Sequence, residues 1–330
     1  MRSGTILFFA LALVGYKSWG QSSNLEVKQL SISKWNAFDG IPYAQSPEAN
    51  LGATSFEVLE NENRIAFLSN ATNEIIVTDK NSGKAIKKFP VVSAPRDFIY
   101  DNSSFYVLSE RQVILYDTNG KEKNNFTFPN AYLGTERLLR FNNATYLLLP
   151  NGNSLKIESD GFSLISQEYE GWITSAGYFV KTEIDGNNSY GVKVIHSNGK
   201  SFNKVFTTDK KVAGVYVVGS SNNRVVLDVQ TFISENPIAI ERNIVSIKLT
   251  NDGLESAIAS IKVPDSYYVL SNKEFYVSEN GTILNMVTSE QGAHIFSLTE
   301  TNSNISKEYP QSLMSKKYHF NDHLQKIKEK

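Results

Sequence analysis

The chain has 330 residues, 33 Lys+Arg against 34 Asp+Glu, no cysteine and 41% apolar residues. A chain of this size buries most of its unfolded surface on folding, and its composition is not that of a disordered protein. The absence of cysteine excludes disulfides, thiolate metal sites and cysteine nucleophiles. A net charge of -1 leaves no basic footprint for nucleic acid, so no nucleic-acid partner is expected.

Residues 1–20 read as a signal peptide. Arg2 supplies the positive start, Ile6 to Val14 is a short apolar run, and Ser18-Trp19-Gly20 places small residues ahead of a cleavage before Gln21. The run is too short to span a bilayer, and no later segment is apolar enough, so no transmembrane segment is expected. The mature chain is expected to be exported to a periplasm, cell surface or extracellular space, most simply in a bacterium.

The next run, residues 25–33, has strand character but no sequence neighbour to pair with. From residue 55 onward, short β-rich runs are broken by Asn, Asp and Gly. Five of them end alike: Thr78-Asp79-Lys80-Asn81-Ser82-Gly83, Asp117-Thr118-Asn119-Gly120, Glu158-Ser159-Asp160-Gly161, His196-Ser197-Asn198-Gly199 and Thr250-Asn251-Asp252-Gly253. Each is a strand entering a hairpin turn in which glycine supplies positive φ. The glycines lie 37, 41, 38 and 54 residues apart. A period near 40 with about four short strands per repeat means propeller blades. A sixth run, Ile295 to Asn302, keeps the strand but lacks the glycine.

The fold class is therefore all-β: a six-bladed β-propeller of four-stranded antiparallel blades, occupying residues 21–308. Inner strands are expected to start near Ser55, Arg96, Glu136, Gly171, Val212 and Glu274. The N-terminal run is expected to close the ring as the outermost strand of the last blade, with Ile305 to Tyr309 as the alternative. Residues 309–330 form a basic C-terminal tail.

Ile75 to Phe89, with its Thr-Asp-Lys-Asn-Ser-Gly-Lys turn, resembles repeats of the NHL, TolB-like and quinoprotein-like propellers. The resemblance covers most of residues 55–300 at the level of blade pattern, and six blades point to the NHL/TolB-like group. The outer-strand tryptophan of quinoprotein-like repeats is absent; Lys88-Phe89 stands there. The group includes enzymes and pure binding scaffolds, so the resemblance implies a fold and not an activity.

Motifs for chemistry are few. Gly199-Lys200-Ser201 lacks the upstream glycine and the helix of a phosphate loop. Asp79-x-Asn81-x-Gly83 lacks the later ligands of a calcium loop. His196 and His294 fall on third strands, away from the axis, and His319 and His323 lie in the tail. A lactonase-like metal site draws Glu, Asn and Asp from several blades; Asp97 and Asn143 could belong to one, but turns and strand edges explain both better.

Propeller ligands usually meet the face built by the loops from each outer strand to the next inner strand, together with the second-to-third strand loops. On that face lie Arg96, Tyr132, Glu136, Arg137, Trp172 and Tyr267, the aromatic and charged types that dominate recognition surfaces. Gln230 to Arg242 is a partly apolar insertion on the same face, readable as a lid or a docking hairpin, or equally as a plain long hairpin. Two functional readings follow. The first is a non-enzymatic binding or scaffold propeller that takes a protein, peptide or glycan and needs no cofactor. The alternative is a lactonase-like hydrolase or lyase with a divalent metal held by oxygen ligands at the central channel.

Overall fold

The computed structural model describes residues 24–314, apart from 47–48, 60–62, 102, 129–136, 143, 151, 160, 165–169, 197, 251–252, 266–267 and 302–307. The signal-peptide reading, most of the tail, and Tyr132, Glu136, Asn143 and Tyr267 lie outside the described residues.

The strands form a six-bladed propeller. Blades 1 to 5 run Ala53–Pro90, Asp97–Thr127, Arg137–Leu164, Trp172–Thr207 and Val212–Val263, each as four consecutive antiparallel strands. Blade 6 takes Phe275–Val277, Ile283–Ser289 and Gly292–Thr301 from the C-terminal end and Asn24–Lys34 from the N-terminal end. The N-terminal strand runs antiparallel to Gly292–Thr301, with Val27 opposite Leu298 and Lys34 opposite Gly292. It closes the ring and covers what would otherwise be an open sheet edge. At Asn24 it also bridges to Ser260, in the outer strand of blade 5.

The burial pattern follows position in the blade. Every residue of the blade 1 inner strand, Ala53–Leu59, is buried, whereas its outer strand, Ala85–Pro90, alternates between covered and exposed. An inner strand packs on both faces and so carries a continuous apolar run, and an outer strand faces solvent.

The recurrent glycine has a second role besides its backbone. Gly83 has φ +70°, and a Cβ there would fall 2.3 Å from the carbonyl oxygen of Ile32 in the closing strand of the preceding blade. Gly120 packs on Phe89 of blade 1 in the same way. At Gly83 and Gly120 the turn is pressed against the neighbouring blade, so the position excludes a side chain as well as demanding positive φ, whereas a Cβ at Gly161 or Gly199 would meet nothing within 4 Å. Blade 6 lacks the glycine because its third strand makes no turn; its fourth strand arrives from the other end of the chain.

Six apolar clusters among the described residues correspond to the six seams between blades. Phe98, Phe105 and Phe89 fill the seam of blades 1 and 2. Tyr309 and Leu313, in the chain after blade 6, are buried in the seam of blades 5 and 6. Among the described residues, the seam of blades 3 and 4 has the fewest buried members, Leu139, Tyr146, Ile173 and Phe179. The inner strand of blade 4 is correspondingly short, Trp172–Ile173. The central cavity opens beside it.

Candidate functional site: the channel mouth

The short segment before blade 6 organises the channel. Asn272 donates its backbone N–H to the carbonyl of Thr54 at 2.6 Å and its side-chain amide to the carbonyl of Arg96 at 2.9 Å. This carries Lys273 and Glu274 across the mouth. Lys273 Nζ is bonded to the Glu57 carboxylate of blade 1, lies 2.7 Å from the carbonyl oxygen of Phe98, and lies 3.4 Å from Asp97 Oδ1 of blade 2. Asp97 in turn accepts the backbone N–H of Leu138 in blade 3 at 2.8 Å. The ammonium thereby ties the segment before blade 6 to blades 1 and 2, and Asp97 extends the tie to blade 3. Asp97, a metal-ligand candidate in sequence, serves this tie.

On the other side of the axis, Arg242 Nη2 donates to Glu274 Oε1 at 2.6 Å and to Asp228 Oδ2 at 2.7 Å, with Nε also on Asp228 Oδ2 at 3.0 Å. Burial pushes the carboxyls of Glu57 and Glu274 above their ordinary values, against the pull of Lys273 and Arg242 respectively. Burial disfavours the charge on Arg242, but Glu274 and Asp228 outweigh it and hold the guanidinium more firmly protonated.

Two cavities meet across these side chains. The upper one, of about 540 Å³, opens toward the loop face beside Pro150, Gly171 and Ser271. The other, of about 240 Å³, opens toward the opposite turns beside Asn142, Asn222 and Glu279. Arg137, Trp172, Val218, Lys273 and Phe275 line both. Trp172 donates its indole N–H to Ser220 Oγ at 3.3 Å, which fixes the ring in the channel wall. Tyr216 also lines the upper cavity and is 55% exposed. Its ring lies over Gly214, where a Cβ would come within 2.6 Å of it.

Of the described residues expected to form a site, Arg137 and Trp172 are brought together at the channel. Arg96 is not among the cavity walls; its backbone supports Asn272 and pairs with Leu108. Sequence reasoning missed Lys273, Glu274, Arg242, Asp228, Glu57 and Tyr216. The available signal was a charged residue inside an apolar run, as in Phe56-Glu57-Val58 and Leu227-Asp228-Val229.

The Asp79 motif is turn chemistry: Asp79 Oδ1 accepts from the N–H of Asn81, and from the N–H and the hydroxyl of Ser82. The insertion of blade 5 is a long hairpin, Arg224–Glu235 and Ile238–Thr250. Among the described residues its strand pairing with neighbours ends at Thr231 and Arg242, with one further bond from the Phe232 N–H to the Lys211 carbonyl at 2.9 Å, and Ile238 near its tip is 77% exposed.

No family model matches the chain, and no curated protein matches it. Among solved structures, the C-terminal WD40 domain of Sif2 aligns with TM-score 0.46 and 10% identity over 85% of this chain and all of that one (100%). The Neurospora crassa Pan2 WD40 domain aligns with TM-score 0.45 and 10% identity over 88% and 99%. BamB from Moraxella catarrhalis aligns with TM-score 0.38 and 10% identity over 84% and 99%. At these identities and scores the likenesses assign neither a partner nor an activity.

Proposed function

We propose that the protein is an exported, non-catalytic binding propeller that takes a protein, peptide or glycan at its loop face and works without a cofactor. Residues 1–20 direct export, and the mature chain acts in a periplasm, at a cell surface or outside the cell. Within propellers, its blade pattern is nearest the NHL/TolB-like group. One observation carries the functional reading. The loop face opens into a cavity of about 540 Å³ walled by Trp172 and Tyr216, with polar groups of both signs around them. Concave sites with aromatic walls and a few placed polar groups are where ligands bind.

The metal-dependent reading finds little support. A metal at the axis needs several oxygen ligands not otherwise engaged. Glu57 and Asp97 face Lys273, and Asp228 and Glu274 face Arg242. Among the described residues, no group of three His, Asp or Glu is arranged to hold a metal.

The test is binding of the purified mature chain to peptide and glycan arrays. Arg137→Ala should weaken a bound partner, and Glu279→Ala at the opposite opening should not. Turnover of a lactone, phosphoester or glycoside that is lost in Glu57→Gln or Glu274→Gln would defeat the reading.

A further inference from the structure

Two atoms in the wall of the upper cavity are buried and unpartnered among the described residues, and they are opposite in kind. Arg137 Nη1 is a donor with no acceptor, and Asp228 Oδ1 is an acceptor with no donor. Asp228 is 4% exposed, and its other oxygen takes Arg242 and Gln230, so the imbalance is confined to the oxygen left over. Ser271 Oγ, in the same wall, is a third buried polar atom without a partner, and a hydroxyl both donates and accepts. Native structures rarely leave such atoms unmade, and three of them on residues that wall one cavity point to a guest that completes them.

The charges around the cavity narrow what that is. Arg137 and Arg242 face Asp228 and Glu274, two cations against two carboxylates; Lys181 in the same wall is paired with Glu170, and Glu57 and Asp97 have Lys273 between them and Arg140 beside Glu57. A charged guest would upset this balance in a partly desolvated place, and a neutral one would not. The guest must accept from Arg137 and donate to Asp228. Neighbouring hydroxyls of a sugar ring do both, and the apolar C–H face of the same ring suits Trp172 and the exposed ring of Tyr216.

We infer that the cavity beside Arg137, Asp228, Trp172 and Tyr216 binds a pyranose unit of an uncharged oligosaccharide. Arg137 donates to one hydroxyl, Asp228 accepts from a second, and an aromatic ring carries the apolar face. The inference rests on the proposed loop-face binding function and names the ligand class for it.

The test is calorimetric titration of the full mature chain with neutral disaccharides and trisaccharides of glucose, mannose and N-acetylglucosamine. Oligogalacturonates and short peptides are titrated beside them. The expected result is saturable binding of a neutral sugar, weakened about tenfold or more in Arg137→Ala and in Tyr216→Ala, since a hydrogen bond to a charged group or an aromatic platform is worth that much. Tyr216 is more than half exposed, so Tyr216→Ala keeps the test valid should Arg137→Ala unfold. Binding of acidic sugars or peptides without neutral sugars overturns the inference and leaves the loop-face reading standing. Absence of binding by every neutral sugar, or binding unchanged in both variants, also overturns it. Failure of the loop-face reading itself has a separate signature, turnover that depends on Glu57 or Glu274.

Discussion

Lys273 and Glu274 are neighbours in the chain and act on opposite sides of the ring. The ammonium of Lys273 engages Glu57 of blade 1 and Asp97 of blade 2, whereas the carboxylate of Glu274 engages Arg242 of blade 5. One dipeptide therefore latches the blades on both sides of blade 6, the blade assembled from both ends of the chain. Neutralising the axial carboxylates and holding the ring shut are the same interaction.

Lys273→Ala should be strongly destabilising. It removes the ammonium shared by Glu57, 6% exposed, and Asp97, fully buried, leaving Arg140 as the cation beside Glu57. Removing one partner of a buried pair costs about 3–5 kcal/mol. Lys84→Ala, which removes a solvent-exposed pair with Asp39, should cost at most about 1 kcal/mol. Urea unfolding of the two variants measures the difference.

Gly83→Ala should cost about 2 kcal/mol, because it combines a strained φ with a clash against Ile32 of the closing strand. Gly199→Ala, where a Cβ meets nothing within 4 Å, should lose only about 1 kcal/mol for the left-handed backbone. If the two cost the same, the turn glycine does not serve the seam.

His294 gives stability a pH dependence of known sign. It is 3% exposed, bonded to Ser289 through Nε2 at 2.7 Å, and burial holds its pKa below the ordinary 6.5. A base with a depressed folded pKa adds stability above its unfolded pKa and loses it as pH falls. Stability should therefore decline as pH drops below about 6.5, with a slope of at most about 1.4 kcal/mol per pH unit. His294→Gln should be less stable at neutral pH and lose that slope above the carboxylate range. Chemical denaturation across pH reads both.

A chain beginning at residue 35 should not fold as a monodisperse protein. Without Asn24–Lys34, blade 6 loses the buried Leu25 and Val27, and Gly292–Thr301 is left as an open edge. Size-exclusion chromatography and circular dichroism compare it with a chain beginning at residue 24, which should behave as the mature protein does.

The blades were legible in the sequence because each is a local object. A turn such as Asp79 to Gly83 follows its own strand directly, so strand, turn and period appear together. Even the exceptions were legible: the missing glycine of the sixth repeat and the solitary strand near residue 25 are two halves of one closure. The channel was not legible in this way. Lys273 and Glu57 are separated by 216 positions, and Arg137 and Trp172 meet only where two inner strands converge on the axis. Spacing carries no information about groups brought together by closing a ring. The mark left behind is a charge in an apolar inner strand, such as Asp228 between Leu227 and Val229.

The central claim is that the channel is a ligand site whose carboxylates are held by protein cations, not by a metal. Thermal unfolding of the mature chain with calcium, magnesium, zinc or manganese, each followed by EDTA, tests it most directly. A metal held at 100 times its dissociation constant would add about 2.7 kcal/mol, which is readily seen as a rise in Tm. The account predicts no metal-specific rise. A saturable rise, reversed by EDTA and abolished in Glu57→Gln or Glu274→Gln, would contradict it.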